Sequence, residues 1–343
     1  MSQFVISLDF ELFWGVSHSQ TVASYGRNVQ GEWDAVPRLL MLFRRYGIRV
    51  SWATVGMAMC RNYQEWRDIR PTVLPGYFRK EISPYNLDKL VREHPNLFFA
   101  RPLVEQILAT PGQELATHTY SHFYCNEAGA TPEQFAADLT CARAIAAELG
   151  VHCRSLVLPR NQIIEKFLSV LPDAGIQVYR GNANHWLYRN GDIVTGGIAG
   201  RAVRFADGCL PLSGRCDGHV ERSGDLLNLP ASLFLYPWTE RQSALVPIRL
   251  FRLKRCMTAA ARVGSICHLW WHPHNFGVNT DRNLALLESL LQHYRMLADQ
   301  YGMQSSCMGD FAASADHACD VRNQPFRHPA AVAGSSAPLR GVP

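Results

Sequence analysis

Short apolar segments alternate with helix-like segments along most of the chain, and this alternation limits the folds open to it. The segments with strand character cover residues 4–9, 49–56, 114–118, 155–159, 176–181, 265–271 and, more weakly, 303–308. Strands that alternate with helices pair in parallel, and about seven such units favour a barrel. We therefore predict an α/β fold, a distorted parallel (β/α) barrel of about seven strands.

The helical segments carry recognisable start and stop signals. Thr131 and Gln134 form a capping-box pattern with a proline in the first turn, and Gly150 ends that segment. A second helix is predicted from Val246 to Val263, before Gly264, and a third is centred on residues 284–294. From residue 314 onward the periodicity is lost. The sequence thus predicts one barrel domain over residues 1–313 and a flexible C-terminal tail over 314–343.

Composition and the first residues point to a compartment. The opening segment MSQFVISLDF has no basic region and no cleavage site, and no apolar run reaches the roughly 18 residues of a membrane span. The ten cysteines form no CxxC pairs, which is typical of reduced thiols. The formal net charge of +5 is too small to indicate nucleic-acid binding. We expect a cytoplasmic protein without a membrane span.

Polar residues follow several predicted strands, where parallel barrels carry their chemistry. Asp9 and Glu11 lie at the end of the first strand, and positions two apart on an extended chain point to the same side. Two adjacent carboxylates repel each other unless a cation or a proton separates their roles. A solvated strand end is the alternative interpretation of this pair.

Two histidines follow the third strand in the segment HTYSH. His118 and His122 are four residues apart, a spacing that on a helical turn lets both imidazoles meet one metal ion. A zinc protease would require a glutamate after the first histidine, and Thr119 stands there instead. Two histidines placed by chance on a surface helix are the alternative.

A late strand, HLWW, ends on His272, and residues 156–162 (LVLPRNQ) place polar residues at the end of the fourth strand. Tryptophans beside an imidazole can tune its basicity and shape a pocket. His274 is interpreted as a loop residue, with a residue that supports the site from behind or a substrate contact as the alternatives. The arginines at 249, 252, 255 and 262 favour a solvated helix face over a phosphate site.

In this order the motifs resemble those of the polysaccharide deacetylases of carbohydrate esterase family four, which include chitin and peptidoglycan deacetylases. The matching segments are SLDFE (7–11), SWATVG (51–56), HTYSH (118–122), the surroundings of Pro159, and LWWH (269–272). The resemblance covers roughly residues 3–312. It implies a metal-dependent hydrolase on a distorted barrel.

The resemblance also implies roles. Asp9 would be the general base, His118 and His122 would bind one divalent ion, with Zn²⁺ as the expected metal, and His272 would be the general acid. Phe10 occupies the position of the family's second carboxylate, so Glu11 would be the third ligand, as in relatives with a D-x-D spacing.

Two motifs depart from the family pattern. Val157 replaces the family arginine before Pro159, and we expect Arg160 to supply the guanidinium that orients Asp9. The backbone N–H of residue 160 would then lie at the family's oxyanion-hole position. The motif that braces the catalytic histidine is only weakly matched by residues 184–186 (NHW).

Together these features predict a metal-dependent deacetylase that hydrolyses an N-acyl group of a sugar, with N-acetyl as the expected group. Because no export signal is visible, the expected substrate is a nucleotide-linked or lipid-linked precursor of a surface polysaccharide such as O-antigen, lipopolysaccharide or capsule. Three alternatives stay open: a deformylase, a cyclic-amide hydrolase, and a saccharide- or metal-binding protein without catalysis. No GxSxG or cysteine elbow suggests a covalent intermediate.

Overall fold

A computed structural model describes residues 1–183 and 217–313, together with Val203, Asp207 and Cys209. In these residues the strands are β1 Gln3–Phe10, β2 Val50–Thr54, β3 Gln113–Thr117, β4 Ser155–Leu156, β5 Val178–Gly181, β6 Glu221–Ser223, β7 Leu226–Pro230, β8 Leu233–Phe234, β9 Ile266–Trp271 and β10 Gln304–Ser306. All seven segments predicted as strands are strands.

The α-helices of the described ranges lie mainly between these strands. They are α1 Val22–Gln30, α2 Glu32–Tyr46, α3 Tyr63–Asp68, α4 Asp88–Glu93, α5 Arg101–Ala109, α6 Pro132–Ala147, α7 Glu165–Leu168, α8 Val246–Val263 and α9 Thr280–Tyr301. Thr131 forms the predicted capping box of α6, and Gly264 ends α8 in the left-handed conformation. The predicted limits of α8 are confirmed.

The strands form one sheet in the order β6-β7-β5-β4-β3-β2-β1-β9-β8, and β10 also pairs with β1. Every neighbouring pair is parallel except β6 with β7. The sheet curls into a half-barrel, which confirms the predicted α/β class and the distorted parallel barrel.

The two sides of the sheet differ in what they contact. Alternate residues of β1, such as Phe4 and Ile6, belong to the large core cluster shared with the helices, whereas Val5 packs with Ala53 and Val178 in a smaller cluster. Side chains alternate between the two sides of a strand. The side that carries Val5 therefore also receives Ser7 and Asp9.

Several expectations fall outside the described residues. These are the C-terminal tail over 314–343 and the weakly matched motif at 184–186. Of the described residues, eight cysteines are free thiols. Within the same ranges, every helix is too short or too polar to cross a membrane.

Candidate active site and metal centre

The carboxyl ends of three strands bring the predicted site residues together. Asp9 lies in β1 and Glu11 directly follows that strand, His118 follows β3, and His272 follows β9. Because β1 pairs with both β2 and β9 in parallel register, these ends lie at the same edge of the sheet. The polar residues after the strands therefore meet in one place.

Glu11 is at the centre of the site and is 4% exposed. Its Oε2 atom lies 3.5 Å from Nε2 of His118 and 3.1 Å from Nε2 of His122. Its Oε1 atom lies 3.8 Å from Nε2 of His272 and 3.2 Å from Nε2 of His274. One buried carboxylate thus faces four imidazoles.

The two histidines of HTYSH converge through a turn, and the expected helical turn is absent from residues 118–122. Thr119 and His122 have positive φ angles of 63° and 55°. The left-handed conformation is unfavourable for a β-branched residue such as threonine, so the surroundings must hold it. The Thr119 hydroxyl contributes by accepting a hydrogen bond from the Phe123 amide at 2.8 Å.

Asp138 of α6 anchors the same turn. Its carboxylate, which is fully buried, accepts hydrogen bonds from the amides of Tyr120 (2.7 Å) and Ser121 (3.1 Å) and from the Ser121 hydroxyl. Burial raises the pKa of Asp138 to about 6, although these hydrogen bonds oppose the increase. Asp138 therefore positions the backbone that carries His122.

The residues predicted as metal ligands fit a metal ion. Nδ1 of His118 is bonded to the Val157 carbonyl oxygen at 2.8 Å, so its Nε2 points at Glu11. That Nε2 atom is buried and makes no hydrogen bond. The ligand atoms of Glu11, His118 and His122 all lie within 4.8 Å of one another. A carboxylate and two imidazoles are a donor set that zinc accepts, with a position left open.

The ionisation of Glu11 agrees with this arrangement. Burial raises the pKa of Glu11, but the charge of His272 and the adjacent imidazoles of His118, His122 and His274 outweigh that effect. The net result is a pKa well below the usual range. The carboxylate is held in the anionic form that binds a cation.

The guanidinium that contacts Asp9 belongs to Arg180, which corrects the expectation for Arg160. Arg180 of β5 donates from Nη1 to Oδ1 at 2.6 Å and from Nη2 to Oδ2 at 2.8 Å. Arg160 lies over the ring of Tyr124, 5.9 Å from its centroid. Burial raises the pKa of Asp9, but the charge and hydrogen bonds of Arg180 lower it by more, so the net shift is downward.

Sequence reasoning missed Arg180 and its neighbours. Nη1 of Arg180 also donates to the Ser7 hydroxyl at 3.0 Å, and Nη2 donates to Oδ1 of Asn161 at 2.8 Å. His268 contacts the same hydroxyl through Nε2 at 2.9 Å, and burial lowers its pKa to about 3. A usable signal was present, because an arginine within an apolar strand needs a buried partner of opposite charge.

His272 is a second close neighbour of the Asp9 carboxylate. Its Nε2 is 3.8 Å from Oδ2 of Asp9, and its side chain is 24% exposed. The rings of Phe234 and Trp270 lie 6.0 and 5.8 Å from the imidazole. Burial lowers the pKa of His272 despite the opposing charge of Glu11. His272 therefore lies next to the carboxylates of both Asp9 and Glu11 and also lines the cavity described below.

A cavity of about 600 Å³ opens onto these residues. Its lining includes Asp9, His272 and Arg160 on one side and Leu233 and Leu253 on another. Arg249 and Arg252 of α8 also line it, and they are only 5% and 8% exposed. The expectation of a solvated face is wrong for these two arginines. The cavity size suits a small ligand.

Comparison with protein-family models and with curated sequences gives no match. Solved structures that are similar include a putative polysaccharide deacetylase from Mycobacterium smegmatis, with 14% identity, a TM-score of 0.57, and coverage of 96% of this chain and 95% of that one. A probable polysaccharide deacetylase from Pseudomonas aeruginosa PAO1 has 12% identity and a TM-score of 0.53, and the match covers 95% of this chain and 92% of that one. Puue allantoinase has 12% identity and a TM-score of 0.56, and the match covers 92% of this chain and 90% of that one.

These similarities define the class of fold. The chain has the fold of the polysaccharide deacetylases over nearly its whole length, and the predicted resemblance is confirmed at that level. Because an allantoinase shares the fold, the reaction must be argued from the site.

Proposed function

We propose that the protein is a metal-dependent deacetylase that hydrolyses the N-acyl group of a sugar. The observation that carries the proposal is the placement of Asp9 and His272 next to one candidate metal centre. They are 3.8 Å apart, and His272 is also 3.8 Å from Glu11. The base, the acid and two of the three metal ligands, Glu11 and His122, thus line one cavity.

Glu11, His118 and His122 would hold the ion, for which zinc is the best match to the donors. When bound, such an ion supplies Lewis-acid activation of a carbonyl group and of water. Asp9 accepts the proton of the attacking water, since Arg180 keeps its carboxylate ionised. His272 donates a proton to the departing nitrogen. The backbone N–H of residue 160 is proposed to stabilise the developing oxyanion.

The lining of the cavity supports a substrate with an anionic group. Arg249 places a buried guanidinium in the same cavity as Asp9 and His272, whereas the charge of Arg252 is balanced by the buried carboxylate of Asp207 at 2.9 Å. Arginine is well suited to phosphate because its planar group donates two parallel hydrogen bonds. We therefore favour an N-acylated sugar carried on a nucleotide or lipid phosphate, as in the cytoplasmic synthesis of a surface polysaccharide.

The test is acetate release by the zinc-loaded protein. N-acetylated sugars linked to a nucleotide or a lipid phosphate are compared with the same free sugars and with chitin oligomers. We expect faster release from the phosphate-linked substrates, and Arg249→Gln should lower that preference by raising KM. Release from a cyclic amide or an N-formyl sugar alone would favour the alternatives, and faster cleavage of the polymer would contradict the substrate proposal.

A further inference from the structure

The two oxygen atoms of Glu11 face two different pairs of histidines. Oε2 faces His118 and His122, whereas Oε1 faces His272 and His274. Only the first pair is used as ligands in the proposed function. The second pair follows β9, which lies on the other side of β1 from β3 in the sheet, whereas the first pair follows β3. Glu11 therefore has the position of a carboxylate shared between two cation sites.

The second pair meets the same geometric test as the first. Ligand atoms around tetrahedral zinc are about 3.3 Å apart, given bonds of about 2.0–2.1 Å. Nε2 of His274 and of His272 lie 3.2 and 3.8 Å from Oε1, which compares with 3.1 and 3.5 Å for the first pair. The three atoms of this set also lie within 4.8 Å of one another.

His274 is oriented by its surroundings and is 3% exposed, so its interpretation as a loop residue is wrong. Nδ1 is bonded to the hydroxyl of Tyr25 at 2.8 Å, which leaves Nε2 to face Glu11. Its ring stacks on that of His272, with centroids 4.9 Å apart and an angle of 25°. Both imidazoles thus present Nε2 toward the same carboxylate oxygen.

We propose that Glu11, His272 and His274 form a second site for a divalent cation, zinc in the first instance. Two divalent ions on one carboxylate repel each other, and the other nearby carboxylate, Asp9, is already paired with Arg180. The second ion therefore binds at least about tenfold more weakly than the first.

The second ion has a consequence for catalysis that rests on the proposed function. It occupies Nε2 of His272, the atom from which the mechanism requires a proton. An enzyme with both sites filled lacks its general acid, so excess zinc inhibits it. The second site acts as an inhibitory cation site that senses free zinc above the level needed to fill the first.

The test is zinc stoichiometry. Chelator-treated protein is brought to equilibrium with zinc by dialysis and its metal content is measured. We expect two equivalents of zinc, the second at higher concentration. His274→Ala and His272→Gln should each lose the second equivalent and keep the first. His293→Ala, which removes a partly buried histidine of α9 bonded to Thr258, should keep both.

Two outcomes would overturn the second site: a single equivalent at all zinc concentrations, or a second equivalent that persists in both His274→Ala and His272→Gln. If only one equivalent of zinc binds, the role of His274 is limited to its hydrogen bond with Glu11. Circular dichroism of each variant checks that it is folded. The stoichiometry does not depend on any substrate, so failure of the proposed deacetylase activity leaves it intact. Where activity is found, inhibition by excess zinc should weaken at least tenfold in His274→Ala.

Discussion

Arg180 and Asp9 form a buried bidentate ion pair that joins β5 to β1 across the interior of the half-barrel. Both donor–acceptor distances are below 2.9 Å, and the two residues are 1% and 3% exposed. Such a pair is costly to break, because the remaining charge has no solvent to replace its partner. The pair also fixes the orientation of the carboxylate that faces His272.

Replacement of Arg180 should therefore destabilise the protein. We expect Arg180→Met to lower the free energy of unfolding by about 3–5 kcal/mol at pH 7, with a smaller loss near pH 4. The sign follows from Asp9 in the variant: without Arg180, burial raises the pKa of its carboxyl, so the group is protonated as pH falls toward 4 and no longer leaves an unpaired buried charge. Urea unfolding at both pH values measures this. Arg160→Met is the control, and an equal loss there would contradict the assignment.

The ligand set predicts the metal content of variants. His118→Ala and Glu11→Ala should lose tight zinc binding by orders of magnitude, because each removes one of three donors. Asp9→Asn should keep the ion yet lose activity. Metal analysis after dialysis, with His293→Ala as the control, decides the point. Retained zinc in Glu11→Ala with loss in Asp9→Asn would mean that the two carboxylates have exchanged roles.

Gly15 offers a test in which none of the ligand residues is itself replaced. A Cβ atom there would lie 2.0 Å from Cδ of Glu11, so any side chain must displace the carboxylate. Gly15→Ala should weaken zinc affinity at least tenfold. Gly218→Ala is the matched control, since its Cβ would meet nothing closer than 3.8 Å. Isothermal titration calorimetry measures both, and equal affinities would show that Glu11 is not a ligand.

The acid and base roles predict the pH dependence of the rate. Activity should be bell-shaped, since Asp9 must be ionised and His272 protonated. The pKa shifts of both groups are downward, so the optimum should lie on the acid side of that expected for unperturbed residues. His272→Ala should lose the alkaline limb or nearly all activity. Full activity in this variant would move the acid elsewhere, with His274 the next candidate.

The strands and the main helices could be predicted because local pattern determines them. Parallel strands buried on both faces lack exposed charged positions, as in β2, where all five residues are buried and none is charged. Strands β6, β7 and β8 were missed. The first is fully exposed and short, and the last has two residues, so neither carries a recognisable run.

The site could be predicted in part. Asp9, Glu11, His118, His122 and His272 come together because they follow strands whose ends share an edge. The turn at Thr119 could not be read from spacing, since its left-handed conformation depends on Asp138, a residue of α6. Arg180 was missed because its partner lies 171 positions away. Contacts of this kind depend on the curl of the whole sheet.

Glu32 provides a final test, which concerns the electrostatics around the metal centre. Both of its carboxylate oxygens are buried and lack a hydrogen bond. Burial and the charge of Glu11 raise the pKa of Glu32 well above its ordinary value. A carboxyl group whose pKa is higher in the folded than in the unfolded protein reduces stability as pH rises above the unfolded value. In metal-free protein, Glu32→Gln should thus change the free energy of unfolding little at pH 4 and add about 1–3 kcal/mol at pH 8.

The control is Glu165→Gln. Glu165 is an exposed glutamate that likewise begins a helix, so its replacement should show no such pH dependence. Zinc should reduce the difference in the free energy of unfolding between Glu32→Gln and the wild-type protein, because a cation on Glu11 favours the ionised form of Glu32. Thermal unfolding with and without zinc across pH 4–8 measures both effects, and a gain that is equal at all pH values would show that Glu32 is not forced to remain protonated.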